Sequence, residues 1–246
     1  MKREAVREKW KINYSDYYDS FEHDSELAEW RSLGAIDKVN NILTAGNNIP
    51  HDRVLEIGCG EGSILKRLDD VHFGRYLYGL EISQNAVRAT NSRNIKSLAE
   101  CKMYDGYNIP YDDNNFDLAI LSHVVEHLEY PRRLLYESAR VADYVFIEAP
   151  LEDTIRLKRD YSFDKVGHIN FYSFKTLRRL VQTCDLDVLS QTVTVPSTRV
   201  YQYIYGKKGI FVSILLTSIL KMSPALATRL FTYHCSILCR NREGSY

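Results

Sequence analysis

Short apolar runs alternate with amphipathic stretches along most of the chain, and this alternation points to a fold before any motif is considered. Runs rich in β-branched and aromatic residues at 54–57, 76–82, 97–106, 116–121 and 144–148 read as buried strands. Between them lie helical patterns: Ile64, Leu65 and Leu68; residues 84–93 behind the capping Ser83; and Leu135, Ala139 and Ala142 on one face. A further helix carries Leu177, Leu180, Val181 and Cys184 at i, i+3, i+4 and i+7. Residues 187–195 and 199–205 alternate around Pro196, as two paired strands would. The pattern predicts an α/β fold, an open, mainly parallel sheet of seven strands with helices on both faces and an antiparallel hairpin at its end.

Two segments flank this core. Residues 1–48 begin with a charged helical stretch and the aromatic cluster Trp10, Tyr14, Tyr17, Tyr18 and Phe21, followed by a helix pattern through Leu27, Trp30, Ala35, Ile36, Val39, Ile42 and Leu43. They are expected to form a helical lid, with the core at 49–206. Residues 207–246 carry two apolar helical stretches, 210–220 and 225–239, divided by Ser223-Pro224, and are expected to form a helical tail.

The first strand, Val54-Leu55-Glu56-Ile57, leads directly into Gly58-Cys59-Gly60-Glu61-Gly62 and then a helix. Glycines at alternate positions permit positive φ and leave no Cβ in the way, so a ligand can lie against the main chain near the positive end of the helix. A dinucleotide fingerprint would need a glycine at position 63, which is Ser63. Glu81, at the end of the second strand and about 20 residues past the turn, is placed to accept both hydroxyls of a ribose.

These residues resemble motif I of the class I S-adenosylmethionine-dependent methyltransferases. The resemblance strengthens at IPYDDNNFDLAILSHVVEHLEYP, which is similar to the family stretch LPF-x-D-x-SFD-x-V-x-S-x-V-LEHL-x-x-P. It extends to the segment Gly167 to Ser173, similar to a His-containing loop in the relatives of the ubiquinone- and menaquinone-biosynthesis methyltransferases. It implies a Rossmann-like fold and S-adenosylmethionine as cofactor, leaving S-adenosylhomocysteine as product. By the same resemblance Gly58, Cys59 and Gly60 wrap the methionine part, Glu56 helps hold its ammonium, and Ile82 follows the ribose acid. Tyr104, Asp105 and Gly106 flank the adenine, with Asp105 equally readable as turn chemistry. Ser122 and His123 are delivered to the cofactor by the fourth strand. If the acceptor arrives protonated, His127 or His168 is the candidate base.

The charge balance narrows the partners. Lys plus Arg and Asp plus Glu number 32 each, which gives no excess for a polyanion, so nucleic acid is not expected. The balance is uneven along the chain: residues 196–246 carry a net +6, with Lys207-Lys208 just before the apolar run 210–220. That tail is expected to pack on the core or a second copy, as in a homodimer, or to touch an anionic membrane peripherally. The run is well short of the roughly 20 residues that span a bilayer. Five cysteines, with no C-x-x-C and no neighbouring His pair at metal spacing, suggest reduced thiols in the cytoplasm and no metal site. Cys59, beside Glu56 and Glu61, is expected to fill space, not to act as a nucleophile. The expected activity is methyl transfer to a small-molecule or lipid-like acceptor. A scaffold protein that keeps the cofactor pocket without transfer is the alternative, and a nicotinamide-dependent oxidoreductase a weaker third.

Overall fold

The computed structural model describes residues 25–160 and 167–242; the aromatic cluster between Trp10 and Phe21 lies outside them. Among the described residues a seven-stranded sheet forms the centre. Its strands are β1 (Arg53–Ile57), β2 (Tyr76–Glu81), β3 (Leu98–Met103), β4 (Phe116–Ser122), β5 (Ala142–Leu151), β6 (Leu186–Thr194) and β7 (Tyr233–Asn241). The spatial order is β3-β2-β1-β4-β5-β7-β6, the first five parallel and β7 antiparallel to both its neighbours. The expected α/β architecture with a terminal antiparallel pair is therefore present.

The helices follow the apolar periodicity. They are α1 (Ser25–Gly46), α2 (Ser63–Asp70), α3 (Gln84–Ser92), α4 (Pro131–Val141), α5 (Phe174–Gln182), α6 (Thr198–Tyr205), α7 (Lys208–Met222) and α8 (Pro224–Leu230). Ser83 caps α3 by accepting from Ala86 N–H, and Ser173 and Thr176 form a capping box on α5. Helix α1 buries Ala35, Val39 and Ile42 against a sheet face that includes Val54, Leu118, Ile120, Phe146 and Leu238. Val39 and Ile42, buried this way, each contribute roughly 1.5–3 kcal/mol.

The C-terminal third departs from the expected hairpin. Residues 199–205, read as a strand, form α6, which turns at Gly206 and folds back on α7. Gly209 permits that contact, because a Cβ there would lie 2.1 Å from the Tyr201 carbonyl oxygen. The partner of β6 is β7, from the middle of the segment expected to be helical through Cys239. The tail 207–246 is thus not wholly helical and not separate from the core. β7 does alternate, His234, Ser236 and Arg240 on one face against Tyr233, Cys235, Ile237 and Cys239 on the other, with Leu238 alone breaking the pattern on the polar face; three consecutive apolar residues there are equally compatible with a helix. Likewise Ala142 opens β5 immediately after α4 instead of ending the helix.

Candidate active site

The loop after β1 carries the strain its glycines allow: Gly58, Gly60 and Gly62 all have positive φ. A Cβ on Gly58 would lie 2.7 Å from Val124 Cγ2, in the segment after β4, so only glycine fits the loop beneath it. The N–H groups of Gly58 and Cys59 both donate to the Leu80 carbonyl, tying the loop to β2. At the end of β2 the buried carboxylate of Glu81 accepts from Gly60 N–H (2.9 Å), Ile82 N–H (2.7 Å) and Ser83 N–H (3.1 Å). Burial pushes this carboxyl up, and the three backbone donors oppose that rise.

Cys59 is buried with its Sγ 3.7 Å from that of Cys101. The contact with Cys101, together with burial, holds the Cys59 thiol well above its usual range, the opposite of an activated nucleophile. All five cysteines are free and buried.

Alternation along the strands places Glu56, Ser122, Glu148 and Ser236 on the sheet face that α1 covers. Ser122 pairs in register with Glu148, and Glu148 with Ser236. Glu56 is 2% exposed and its Oε2 has no hydrogen-bond partner among the described residues; the same holds for the buried Ser122 Oγ. Burial pushes the Glu56 carboxyl well above the ordinary carboxylate range, against a smaller lowering by Lys38.

On the outer side of Glu81, Ile82 is exposed and Gly106 faces it, its built Cβ direction ending 3.5 Å from Ile82 Cγ2. Tyr104 is half-buried nearby. Asp105 is exposed and caps its own turn, accepting from Tyr107 N–H (2.9 Å) and Asn108 N–H (2.6 Å). The turn chemistry foreseen for it is present.

His123 follows β4 with φ of 58°, a left-handed conformation unusual for a residue with a side chain. Its N–H donates to the Glu148 carbonyl (2.8 Å). Its Nδ1 lies 3.2 Å from Glu126 Oε1 and its Nε2 3.5 Å from Glu148 Oε1. His234 on β7 packs edge-on against the His123 ring and sets its Nδ1 3.9 Å from the same Glu148 oxygen. Burial, aided by Lys38, would depress the His123 imidazole, but the two carboxylates carry it above its ordinary value. The imidazole in turn overrides burial to lower Glu126 and Glu148 to about 2.

His127 and His168 meet as an edge-on ring pair 4.8 Å apart. His127 Nδ1 is 3.3 Å from the Gly167 carbonyl, and His168 Nδ1 is 2.7 Å from Glu152 Oε2. Burial lowers the His127 imidazole. The two candidate bases thus lie together, with a carboxylate behind one of them.

A cavity of about 370 Å³ opens beyond His234, between α1, the end of β6 and α7; Asp37, Asn41, Thr194, Ser197, Leu220 and Lys221 are among its walls. Asn41 Nδ2 donates to Glu148 Oε2 (2.7 Å) and Thr194 Oγ1 (3.2 Å), and Ser197 N–H donates to Asp37 (2.6 Å). Sequence reasoning assigned no role to Asn41, Glu126, Glu148 or His234. For Glu148 a signal existed, an acid inside an apolar strand, as at Glu56; a lone His in an apolar run gave none.

Residues 27–191 match the family model for a methyltransferase domain. The chain belongs to this family, the class I S-adenosylmethionine-dependent methyltransferases. It is 31% identical over 93 residues to the putative methyltransferase YrhH of Bacillus subtilis, a match covering 37% of this chain and 52% of that protein. Over 92 residues it is 32% identical to the demethylmenaquinone methyltransferase of Corynebacterium urealyticum, covering 37% of each. The matches thus span about half, or less, of these relatives' length. Among solved structures, a Haemonchus contortus phosphoethanolamine N-methyltransferase in complex with S-adenosylhomocysteine superposes with a TM-score of 0.64, covering 93% of this chain and 60% of that one. At 12% identity that likeness is one of fold.

S-adenosylmethionine is the cofactor of this family, and the residues present fit it. The buried, unpartnered Glu56 oxygen suits an ammonium, and the positive φ of Gly58 and Gly60 shapes a loop that carries no side chain at either position. Glu81, with three N–H donors on roughly four lone-pair positions, retains capacity for a hydroxyl. Among the described residues no helix is long and apolar enough to cross a membrane.

Proposed function

We propose that this chain transfers a methyl group from S-adenosylmethionine to a small, lipid-like acceptor that reaches the cavity from an anionic membrane surface. The observation that carries the acceptor's class is α7. Phe211 (75% exposed), Ile214, Leu215 and Met222 present apolar side chains to solvent behind Lys207 and Lys208, while Leu220 and Lys221 of the same helix line the cavity. Exposed apolar residues beside a basic pair suit insertion at an anionic interface, each basic residue adding about 1 kcal/mol.

In this reading Gly58, Cys59 and Gly60 cradle the methionine part, Glu56 holds its ammonium and Glu81 the ribose. Ile82, Tyr104, Asp105 and Gly106 form the adenine side, and Ser122 and His123 close the inner edge. When bound, the cofactor supplies a methyl group on a sulfonium. The protein's own task is then to align the acceptor and exclude water, work for which bound geometry alone lowers the barrier by several kcal/mol. For an acceptor that arrives protonated, the base comes from the His127–His168 pair, with Glu152 orienting His168.

Removing the tail cannot test this, because β7 would go with it. The test uses the full chain and its Phe211→Glu/Leu215→Glu variant with methyl-labelled cofactor and total lipid extract. The expected result is label in a lipid-soluble product from the parent chain, flotation of that chain with anionic vesicles, and loss of flotation in the variant. Label confined to water-soluble products, with equal flotation of both proteins, overturns the lipid-like acceptor. Binding without label in any product assigns a scaffold role instead.

A further inference from the structure

We propose that His123, Glu148 and His234 form a binding site for a first-row transition-metal dication at the inner end of the cavity beneath α1. Their candidate ligand atoms all lie within 4.8 Å of one another, the histidine nitrogens 3.5 and 3.9 Å from Glu148 Oε1. Ligands bonded at about 2.0–2.2 Å to one ion stand roughly 3–3.6 Å apart, so small side-chain rotations would close the set. Two imidazoles and one carboxylate suit Zn²⁺, Mn²⁺, Fe²⁺ or Co²⁺; Mg²⁺ and Ca²⁺ favour all-oxygen sets.

The surroundings are built as outer support for such a site. Glu148 is fully buried, and Asn41 and Ser236 both donate to its Oε2, leaving Oε1 pointed at the two rings. That Oε1 and His123 Nε2 are both buried and face each other at 3.5 Å, too far for a good hydrogen bond, and neither has another hydrogen-bond partner among the described residues. Such atoms cost free energy unless something occupies the space between them. On the far side of the His123 ring, Nδ1 faces the buried Glu126, the carboxylate–histidine arrangement that directs the other nitrogen at an ion. His234 lines the 370 Å³ cavity, which supplies an entry path and room for further ligands such as an acceptor oxygen.

The neighbouring trio Glu126, His127 and His168 is less apt, because Glu152 lies at 2.7 Å from His168 Nδ1. The sequence concealed the proposed site because its ligands stand far apart, at positions 123, 148 and 234. The site does not depend on the acceptor's identity.

The test is Co²⁺ titration of the full chain, stripped of metal, followed by its visible d–d absorption, with S-adenosylhomocysteine binding as the check of folding. One ion per chain is expected, undiminished by excess Mg²⁺ and displaced by Zn²⁺. Glu148→Gln and His234→Ala should each weaken Co²⁺ binding at least 100-fold, and Glu126→Gln by about 10- to 100-fold, with S-adenosylhomocysteine affinity within about twofold. His168→Gln should bind Co²⁺ normally. If His234→Ala loses S-adenosylhomocysteine binding, His234→Asn takes its place. Absence of Co²⁺ and Zn²⁺ binding by the parent chain, or equal binding by the Glu148 and His234 variants, overturns the proposal. So does loss in His168→Gln, which would move the ion to the neighbouring trio.

Discussion

The two halves of the sheet's carboxyl-terminal edge are assembled in different ways. On the β1–β2 side, the groups in contact come from one stretch: Glu81 reaches back 21 residues to Gly60, and Thr90 donates to the Gly60 carbonyl from 30 residues away. On the β5–β7–β6 side the contacts span the chain. Asn41 meets Glu148 across 107 residues and Thr194 across 153, and Ser197 meets Asp37 across 160. A pocket made by successive strand–loop–helix units is specified locally. One made by a lid helix, a mid-chain strand and a C-terminal strand exists only after the whole chain has folded. Substitutions at the first end should therefore affect ligand binding more than stability, and substitutions at the second should do the reverse.

The largest effect is expected at Gly58. Valine there must take φ of 73° and force its Cβ to 2.7 Å from Val124, so the loop must shift: S-adenosylhomocysteine affinity should fall at least 100-fold, by about 3 kcal/mol or more, with a smaller loss of stability from the same strain. Calorimetry measures it, and near-normal binding by a folded Gly58→Val protein would remove the loop from the cofactor site. At the other end, Asn41→Ala deletes the donor shared by Glu148 and Thr194, leaving Glu148 Oε2 with Ser236 alone. A loss of about 1–3 kcal/mol is expected, seen as several degrees in a melting curve, with cofactor affinity within twofold. An equal loss in both quantities would erase the distinction between the two ends.

The smallest effect is a pH dependence. Burial keeps the Glu56 carboxyl well above its ordinary value of 4.5, so the fold without cofactor favours its protonated form. A carboxyl raised in the folded state costs stability as pH rises through that value, and a bound ammonium offsets the cost. S-adenosylmethionine should therefore bind more tightly as pH rises above 4.5 through the raised value, until the cofactor's own amine begins to lose its proton near pH 8. Glu56→Gln should weaken binding several-fold near neutrality and flatten the profile. A parent profile already flat would place the ammonium elsewhere.

The same contrast explains what the sequence revealed. Strand, glycine turn and helix at 54–68, Glu81 at its strand end and the cap Ser83 all rest on local rules, and each stands where those rules put it. The hairpin failed because Leu238 interrupts the alternation of β7, and because Val200, Tyr201 and Ile204 satisfy helical spacing as well as alternation. Tertiary packing of α6 on α7 decided between the two periods. Glu148, His234 and Asn41 acquire their meaning only from one another, so reading each in its own segment could not join them.

The edge between β1 and β2 is proposed to hold S-adenosylmethionine through Glu81 and the glycine loop. Calorimetric titration of S-adenosylmethionine into the full chain and into Glu81→Ala tests it most directly. One site per chain is expected, weakened in the variant by about 2–3 kcal/mol, or tens of fold or more, with an unchanged circular dichroism spectrum. Equal affinity in the two proteins, or a parent chain that binds NAD and not S-adenosylmethionine, would contradict it.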